Sequence, residues 1–183
     1  WTETYPQTSV DCILRFGLKK SAPIIDVGGG DSLLVDALLE LGFSNLSVLD
    51  ISAKALERAK ERLGPLANKV EWIESDVLDF NPTAKYSLWH DRASFHFLTQ
   101  KKHIIKYGSI VNQSNAQHLV IGTFSTSGPE KCGGLSISQY DCNSLEHCFR
   151  DRYSQDECIE VNHQTPFDTS QAFVFSRFSK KLI

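Results

Sequence analysis

The chain has 183 residues, 41% hydrophobic and 22% charged, with 19 Lys and Arg against 22 Asp and Glu for a net charge of −3. That size suits one domain able to bury its own core, and the apolar content excludes a globally disordered chain. Slight acidity removes the basic field that a phosphate backbone needs, and the longest apolar run, residues 172–175, falls far short of the ~18 residues of a membrane span, so neither nucleic acid nor membrane is an expected partner.

The first residues carry no basic segment followed by an apolar one, which makes the cytoplasm the expected compartment. Cys12, Cys132, Cys142, Cys148 and Cys158 are odd in number and contain no C-x-x-C pair. They read as reduced, partly buried thiols rather than a disulfide framework or a zinc site, and no metal is expected. Methionine is absent, which is unusual at this length and is taken to mark residues missing from the sequence as written; an intact mass tests that.

In chain order, short β-like runs alternate with helical ones and no repeat occurs, the pattern of an α/β domain with a parallel sheet. Residues 23–27 predict a first strand that stops in Gly28, Gly29 and Gly30. A helix follows from Asp31 or Ser32, both good N-caps, with Leu33, Leu34, Ala37, Leu38 and Leu41 on one stripe until Gly42. Residues 45–50 predict the second strand. Ser52 caps a second helix with Ala55, Leu56, Ala59 and Leu63 inward and Glu57, Lys60, Glu61 and Arg62 outward, ending at Gly64 and Pro65. Residues 69–73 and 86–89 predict strands three and four, the fourth entered from a turn at Asn81 and Pro82. Ile104, Ile105, Gly108 and Val111 suggest a helix, residues 118–124 a strand rich in β-formers, and residues 141–150 another helix. Residues 157–162 and 171–178 are strands whose short link, holding Thr165, Pro166, Phe167 and Asp168, has no helix in it and demands an antiparallel pair.

Strand, glycine turn and helix at the start form a nucleotide-binding turn, in which glycines let the backbone approach a ligand and the helix start offers N–H groups. Leu33 stands where the dinucleotide fingerprint wants a third glycine, and no Gly-Lys-Ser/Thr follows, so neither a pyrophosphate site nor a P-loop is expected. Asp50, 20 residues past Gly30 at the end of strand two, can accept hydrogen bonds from ribose hydroxyls, and Asp76 follows strand three.

Glycine turn, acid after strand two and acid after strand three together resemble the class I S-adenosylmethionine-dependent methyltransferases, over nearly the whole chain. The resemblance implies an α/β, Rossmann-like three-layer sandwich with a mostly parallel seven-stranded sheet and an antiparallel C-terminal strand. It implies one domain over residues 1–183: an N-terminal cover at 1–20, a cofactor-binding half at 21–124, and a substrate-side loop and hairpin at 125–183. It also implies S-adenosylmethionine as cofactor, with Asp26, Gly28 and Gly30 at the methionine half, Asp50 at the ribose clamp with Ile51 beside it, and Asp76 and Val77 at the adenine. Residues 88–93 resemble the segment after strand four of thiopurine and tellurite-resistance-type small-molecule methyltransferases, which faces the transferred methyl. Two features depart from the family: the Pro-Gly-Gly before strand five is absent between Asn112 and Gln117, and the N-terminal cover over residues 1–9 is short.

Transfer from a sulfonium is an in-line displacement of an already activated methyl, so positioning and exclusion of water dominate, with positioning worth ~7–11 kcal/mol. His90 is the candidate base for a protonated acceptor, Asp91 its orienting partner or a cap for the next turn, and Arg92 an anion contact or a partner of Asp91. His96 reads as a packing or surface histidine. The Gly-rich residues 128–134 form a candidate substrate lid, in which Cys132 is expected to be inert. The expected acceptor is a small molecule, with a protein side chain left open; a nicotinamide-dependent oxidoreductase and a non-catalytic cofactor-binding module are the alternatives from other classes.

Overall fold

A computed structural model describes residues 5–164 and 170–182. Its strands are β1 (Ile24–Val27), β2 (Leu46–Asp50), β3 (Val70–Glu74), β4 (Leu88–Arg92), β5 (His118–Phe124), β6 (Lys131–Cys132), β7 (Leu135–Ser136), β8 (Tyr153–Gln164) and β9 (Ser170–Lys180). Its helices are α1 (Gln7–Leu14), α2 (Leu34–Glu40), α3 (Ala53–Leu63), α4 (Lys101–Gln113) and α5 (Cys142–Phe149). Seven strands form one sheet in the order β3-β2-β1-β4-β5-β9-β8. β3 to β5 in that order run parallel, and β9 is antiparallel to both β5 and β8. This is the mostly parallel seven-stranded sheet expected. The link residues Thr165 to Asp168 lie outside the described residues.

Both faces of the sheet are covered, which is why β1 is buried at every position. Ile24 and Val48 pack toward α1, α2 and α3, through Ile13, Leu34, Leu38 and Leu56. Ile25 and Leu49 point the other way, onto a core holding Tyr107 and Val111 of α4 and Leu145 and Phe149 of α5. The alternation of side chains along each strand thus builds two cores from one sheet.

Several elements differ from expectation for local reasons. Helix α2 begins at Leu34 with no side-chain cap, because Asp31 is drawn into a bidentate pair with Arg58 at 2.6 and 2.9 Å, while the Ser32 hydroxyl accepts from the Leu34 N–H at 3.1 Å. The missing Pro-Gly-Gly is replaced by Asn115 at φ 53°, a left-handed position that Asn tolerates better than most residues. Residues 128–134 are not wholly loop, since β6 and β7 pair there as a small hairpin. The segment expected as an N-terminal cover contains the helix α1, whose Val10, Cys12 and Ile13 are buried.

The cysteine expectation needs correction. Cys142 and Cys158 form a disulfide, with Cα atoms 5.7 Å apart, leaving Cys12, Cys132 and Cys148 as thiols. Their separation of 16 residues matches no motif; only the packing of the start of α5 against β8 brings them together. No helix among the described residues is long and apolar enough to cross a membrane.

Candidate active site

The site lies at the carboxyl ends of β1, β2 and β4, where a cavity of about 280 Å³ is lined by residues that include Asp26, Gly28, Asp50, His90 and Arg92. Strand β1 delivers the chain into the glycine turn, and Gly28 takes φ +71°, while a Cβ there would stand 2.8 Å from the Ser94 Cβ. At Gly30 a Cβ would reach 2.6 Å from Ala55 and 2.8 Å from the Asp50 carboxylate. Close approach, not habit, therefore requires glycine at both positions.

Asp50 is fixed by two backbone donors: Gly30 N–H to Oδ2 at 3.0 Å and Ser52 N–H to Oδ1 at 2.8 Å. A carboxylate offers about four lone-pair sites, so two remain for a ligand. Ile51 beside it is 69% exposed, an apolar side chain left in the open at the strand end. The Asp50 carbonyl also accepts from Ser75 N–H at 3.1 Å, which ties the end of β3 to the end of β2. Just beyond, Asp76 is exposed and accepts from Leu78 N–H at 2.8 Å, and Val77 packs against the α4 core. Ile51, Asp76 and Val77 stand along the same sheet edge but do not line the cavity.

Asp26 and His90 are buried neighbours. Their strands pair in register, and His90 Nδ1 lies 2.6 Å from Asp26 Oδ1. An ionised carboxylate can only accept, so Nδ1 carries the hydrogen. Nε2 lies 2.9 Å from the Ser9 hydroxyl of α1, and in the neutral ring it accepts from that hydroxyl. Asp26 Oδ2 is buried and has no hydrogen-bond partner among the described residues. Such an oxygen is costly to leave dry, which marks it as awaiting a donor.

Asp91 points to the other core. Its Oδ1 accepts from the Ser94 and Phe95 N–H groups at 3.0 and 2.9 Å, and its Oδ2 from the Tyr107 hydroxyl at 2.7 Å. Burial pushes its carboxyl up to about 6 despite those donors. The pair holds the tight turn after β4, in which Ala93 takes φ 64°. Arg92 is half-buried and lines the cavity. The structure thus brings Asp26, Gly28, Asp50, His90 and Arg92 together and turns Asp91 away.

Sequence reasoning passed over Ser9 and Phe97, and read Ser52 only as a helix cap and Cys132 as an inert thiol of the candidate lid; Ser52, Phe97 and Cys132 line the cavity. None sits in a motif. Only the fold of α1 over β4 places Ser9 on His90, and only the β6–β7 hairpin carries Cys132 back to the strand ends.

Known proteins give the same outline. Residues 24–107 match the family model described as a methyltransferase domain. Malonyl-[acyl-carrier protein] O-methyltransferase 1 of Ilyobacter polytropus is 33% identical over 96 residues, which are 52% of this chain and 35% of that protein. The second such enzyme of that organism is 29% identical over 80 residues, so the chain spans about a third of the curated relatives it matches. Among solved structures, the Burkholderia thailandensis 1,6-didemethyltoxoflavin-N1-methyltransferase, crystallised with that compound and S-adenosylhomocysteine, superposes with a TM-score of 0.73 at 14% identity over 96% of this chain and 78% of its own. The N-methyltransferase NodS of Bradyrhizobium japonicum gives 0.72 at 17% identity over 96% of each chain. The fold is the Rossmann-like one of these solved methyltransferases. The family match is confined to residues 24–107, and the solved structures share the fold.

Proposed function

We propose that the chain binds S-adenosylmethionine at the carboxyl edge of its sheet and transfers the methyl to a small-molecule acceptor. The observation that carries this reading is the Oδ2 of Asp26, buried and without a hydrogen-bond partner among the described residues, on a residue that lines the cavity beside the glycine turn. It suits the ammonium of the cofactor's amino-acid end, while the two open lone-pair sites of Asp50 suit ribose hydroxyls. When bound, the cofactor supplies a methyl already activated by its positive sulfur.

The chain's own residues then bind and orient. Asp26 would neutralise an ammonium, and His90 holds that carboxylate in place through Oδ1. Gly28 and Gly30 keep the turn close enough for backbone N–H groups to meet the ligand. Asp50, anchored at both oxygens, would hold the ribose without reorganising. Arg92 is placed to meet an anionic part of the acceptor, and Ile51, Asp76 and Val77 to border the adenine further along the edge. His90 keeps the sequence-based role of base only if Ser9 releases its lone pair, so its readier task is to hold Asp26.

A second reading has the acceptor tethered to a protein. It is favoured by the two curated relatives, both named as acting on malonyl-acyl carrier protein, and a cleft open to solvent would admit a tethered group.

Calorimetry tests the cofactor reading first. S-adenosylhomocysteine should bind in the micromolar range and a nicotinamide dinucleotide should not. Asp50→Ala should weaken the former by roughly ten- to a hundredfold, since hydrogen bonds to a charged acceptor are worth ~1.5–3 kcal/mol. An unchanged dissociation constant would remove Asp50 from the site.

A further inference from the structure

Three polar side chains under the cleft form a row that the mechanism above leaves unused. Trp89 and Asp91 of β4 and Tyr107 of α4 are each 0% exposed. The Trp89 Nε1–H donates to the Tyr107 hydroxyl at 2.8 Å, and that hydroxyl donates to Asp91 Oδ2 at 2.7 Å. The other carboxylate oxygen, Oδ1, accepts from the Ser94 and Phe95 N–H groups. The row thus runs from the core under α4 to the turn that follows β4.

That turn is part of the cleft. Arg92, Ala93 and Phe97 line the cavity, and Ser94 is the residue that a side chain at Gly28 would strike. Ala93 takes φ 64°, where any Cβ is strained, and such a conformation persists only when its surroundings hold it. Asp91 holds the turn through two N–H groups, and the Ala93 N–H donates to the Gly122 carbonyl of β5 at 2.8 Å. A neutral asparagine could cap the same two N–H groups without burying a charge, so capping alone does not account for the carboxylate or for the phenol that steadies it.

Resting on the cofactor reading, we infer that Asp91 and Tyr107 are positioning residues: the carboxylate, held by the phenol, fixes the turn after β4 so that Ser94 seats against Gly28 and Arg92, Ala93 and Phe97 keep the cavity's shape, and ligand affinity follows that carboxylate's charge. An ionised Asp91 accepts three hydrogen bonds, two from backbone and one from Tyr107. A proton on either oxygen weakens it as an acceptor, and on Oδ2 it meets the Tyr107 O–H already aimed there. The turn then loses part of its hold. The titratable groups around Asp91 are Tyr107 of α4, Tyr140 just ahead of α5 and His90 beside it on β4, while its register partners Val27 of β1 and Ile121 of β5 are apolar. Burial pushes both phenols up, so neither ionises at neutral pH. Burial also raises the Asp91 carboxyl to about 6, which brings its titration within reach of experiment.

The test is S-adenosylhomocysteine affinity by calorimetry across pH 5 to 8.5, for wild type, Tyr107→Phe and Asp91→Asn, with the thermal midpoint of each. One unit below the carboxyl's midpoint the ionised, competent fraction is about a tenth, so wild-type affinity at pH 5 should be weaker than at pH 7.5 by up to about tenfold. Asp91→Asn, neutral and of the same shape, should bind weakly and lose that slope, and any slope it keeps belongs to other groups. Tyr107→Phe keeps the ring contacts with Trp89, Phe95 and Phe149 but removes a donor that favours the ionised carboxyl. Its weakening should therefore set in at higher pH, and its ratio to wild type should close as pH rises. Parallel profiles in the three proteins, whatever their thermal midpoints, would make the pair structural and overturn the inference. So would a wild-type affinity that is flat from pH 7.5 to 5, a result that needs no variant to fold. A wild-type chain that binds no S-adenosylhomocysteine at any pH would instead overturn the cofactor reading, and this coupling with it.

Discussion

Three buried side chains, Ser9, His90 and Asp26, connect the N-terminal helix to the cleft through contacts of 2.9 and 2.6 Å. Remove the middle one and Asp26 loses the one side-chain donor it has among the described residues, so its carboxylate can rotate away from the ligand. His90→Gln should therefore weaken S-adenosylhomocysteine binding by about tenfold, the worth of one hydrogen bond to a charged group. Ser9→Ala should do less, because it loosens the ring rather than the carboxylate. If His90 acts instead as the base expected from sequence, affinity will be untouched and turnover alone will fall; the split between KM and kcat decides. His96 offers a pH test. Its imidazole is lowered to about 4 from an ordinary 6.5, so between those values the unfolded chain binds a proton that the folded one refuses. Its contribution to stability is complete above pH 6.5 and is lost as pH falls toward 4. Asp91, raised to about 6 from 3.8, works in the opposite sense, since the folded carboxyl keeps its proton longer and stability falls as pH rises through that window. Comparing chemical denaturation of wild type and His96→Phe at pH 7 and 4.5 separates the two, because Asp91 is common to both proteins. The variant should gain on wild type as pH falls, and parallel profiles would mean that His96 is already solvated.

At the scale of elements, what could be read in advance was what local chemistry determines. The glycine turn, Ser52 at the cap of α3, whose hydroxyl accepts from Ala55 N–H at 3.3 Å, and the apolar run of β5 all follow from neighbours in sequence. Misread features depend on distant partners. Asp31 looks like a cap until Arg58 claims it from 27 residues away. Ser9 has no motif around it, and its partner His90 is 81 residues on. The disulfide is the largest miss of this kind, with one cysteine at the start of α5 and the other in β8. Unfolded without reductant, the protein should titrate three thiols, Cys12, Cys132 and Cys148, and five after reduction. Replacing Cys142 and Cys158 together by serine should lower stability by about 3 kcal/mol, the loop-closure value for a loop near 15 residues, seen as a lower denaturant midpoint. Five thiols without reductant would restore the reading from sequence.

The whole molecule joins these pieces through one sheet. Asp26, Asp50 and His90 come from three strands, β1, β2 and β4, which lie adjacent in the order β2-β1-β4, so no local segment contains the site. Helix α1 covers one face at His90, and the β6–β7 hairpin approaches the same edge from beyond β5. Ligand binding should therefore stabilise the fold as a unit rather than order a single loop. A ligand at a hundred times its dissociation constant adds about 2.7 kcal/mol to a folded state that alone binds it. In a domain of this size each kcal/mol moves Tm by about 2–4 °C, so S-adenosylhomocysteine should raise Tm by roughly 5–11 °C. Asp50→Ala at the same ligand concentration should lose much of that rise, because its weaker binding leaves the site nearer half saturation. The nicotinamide dinucleotide should move neither protein, since Leu33 replaces the glycine that a pyrophosphate turn needs. A thermal scan with the two ligands side by side distinguishes the classes without knowledge of the acceptor, and an equal shift with both would mean that the cleft reads adenosine alone and not the amino-acid end that we propose for Asp26.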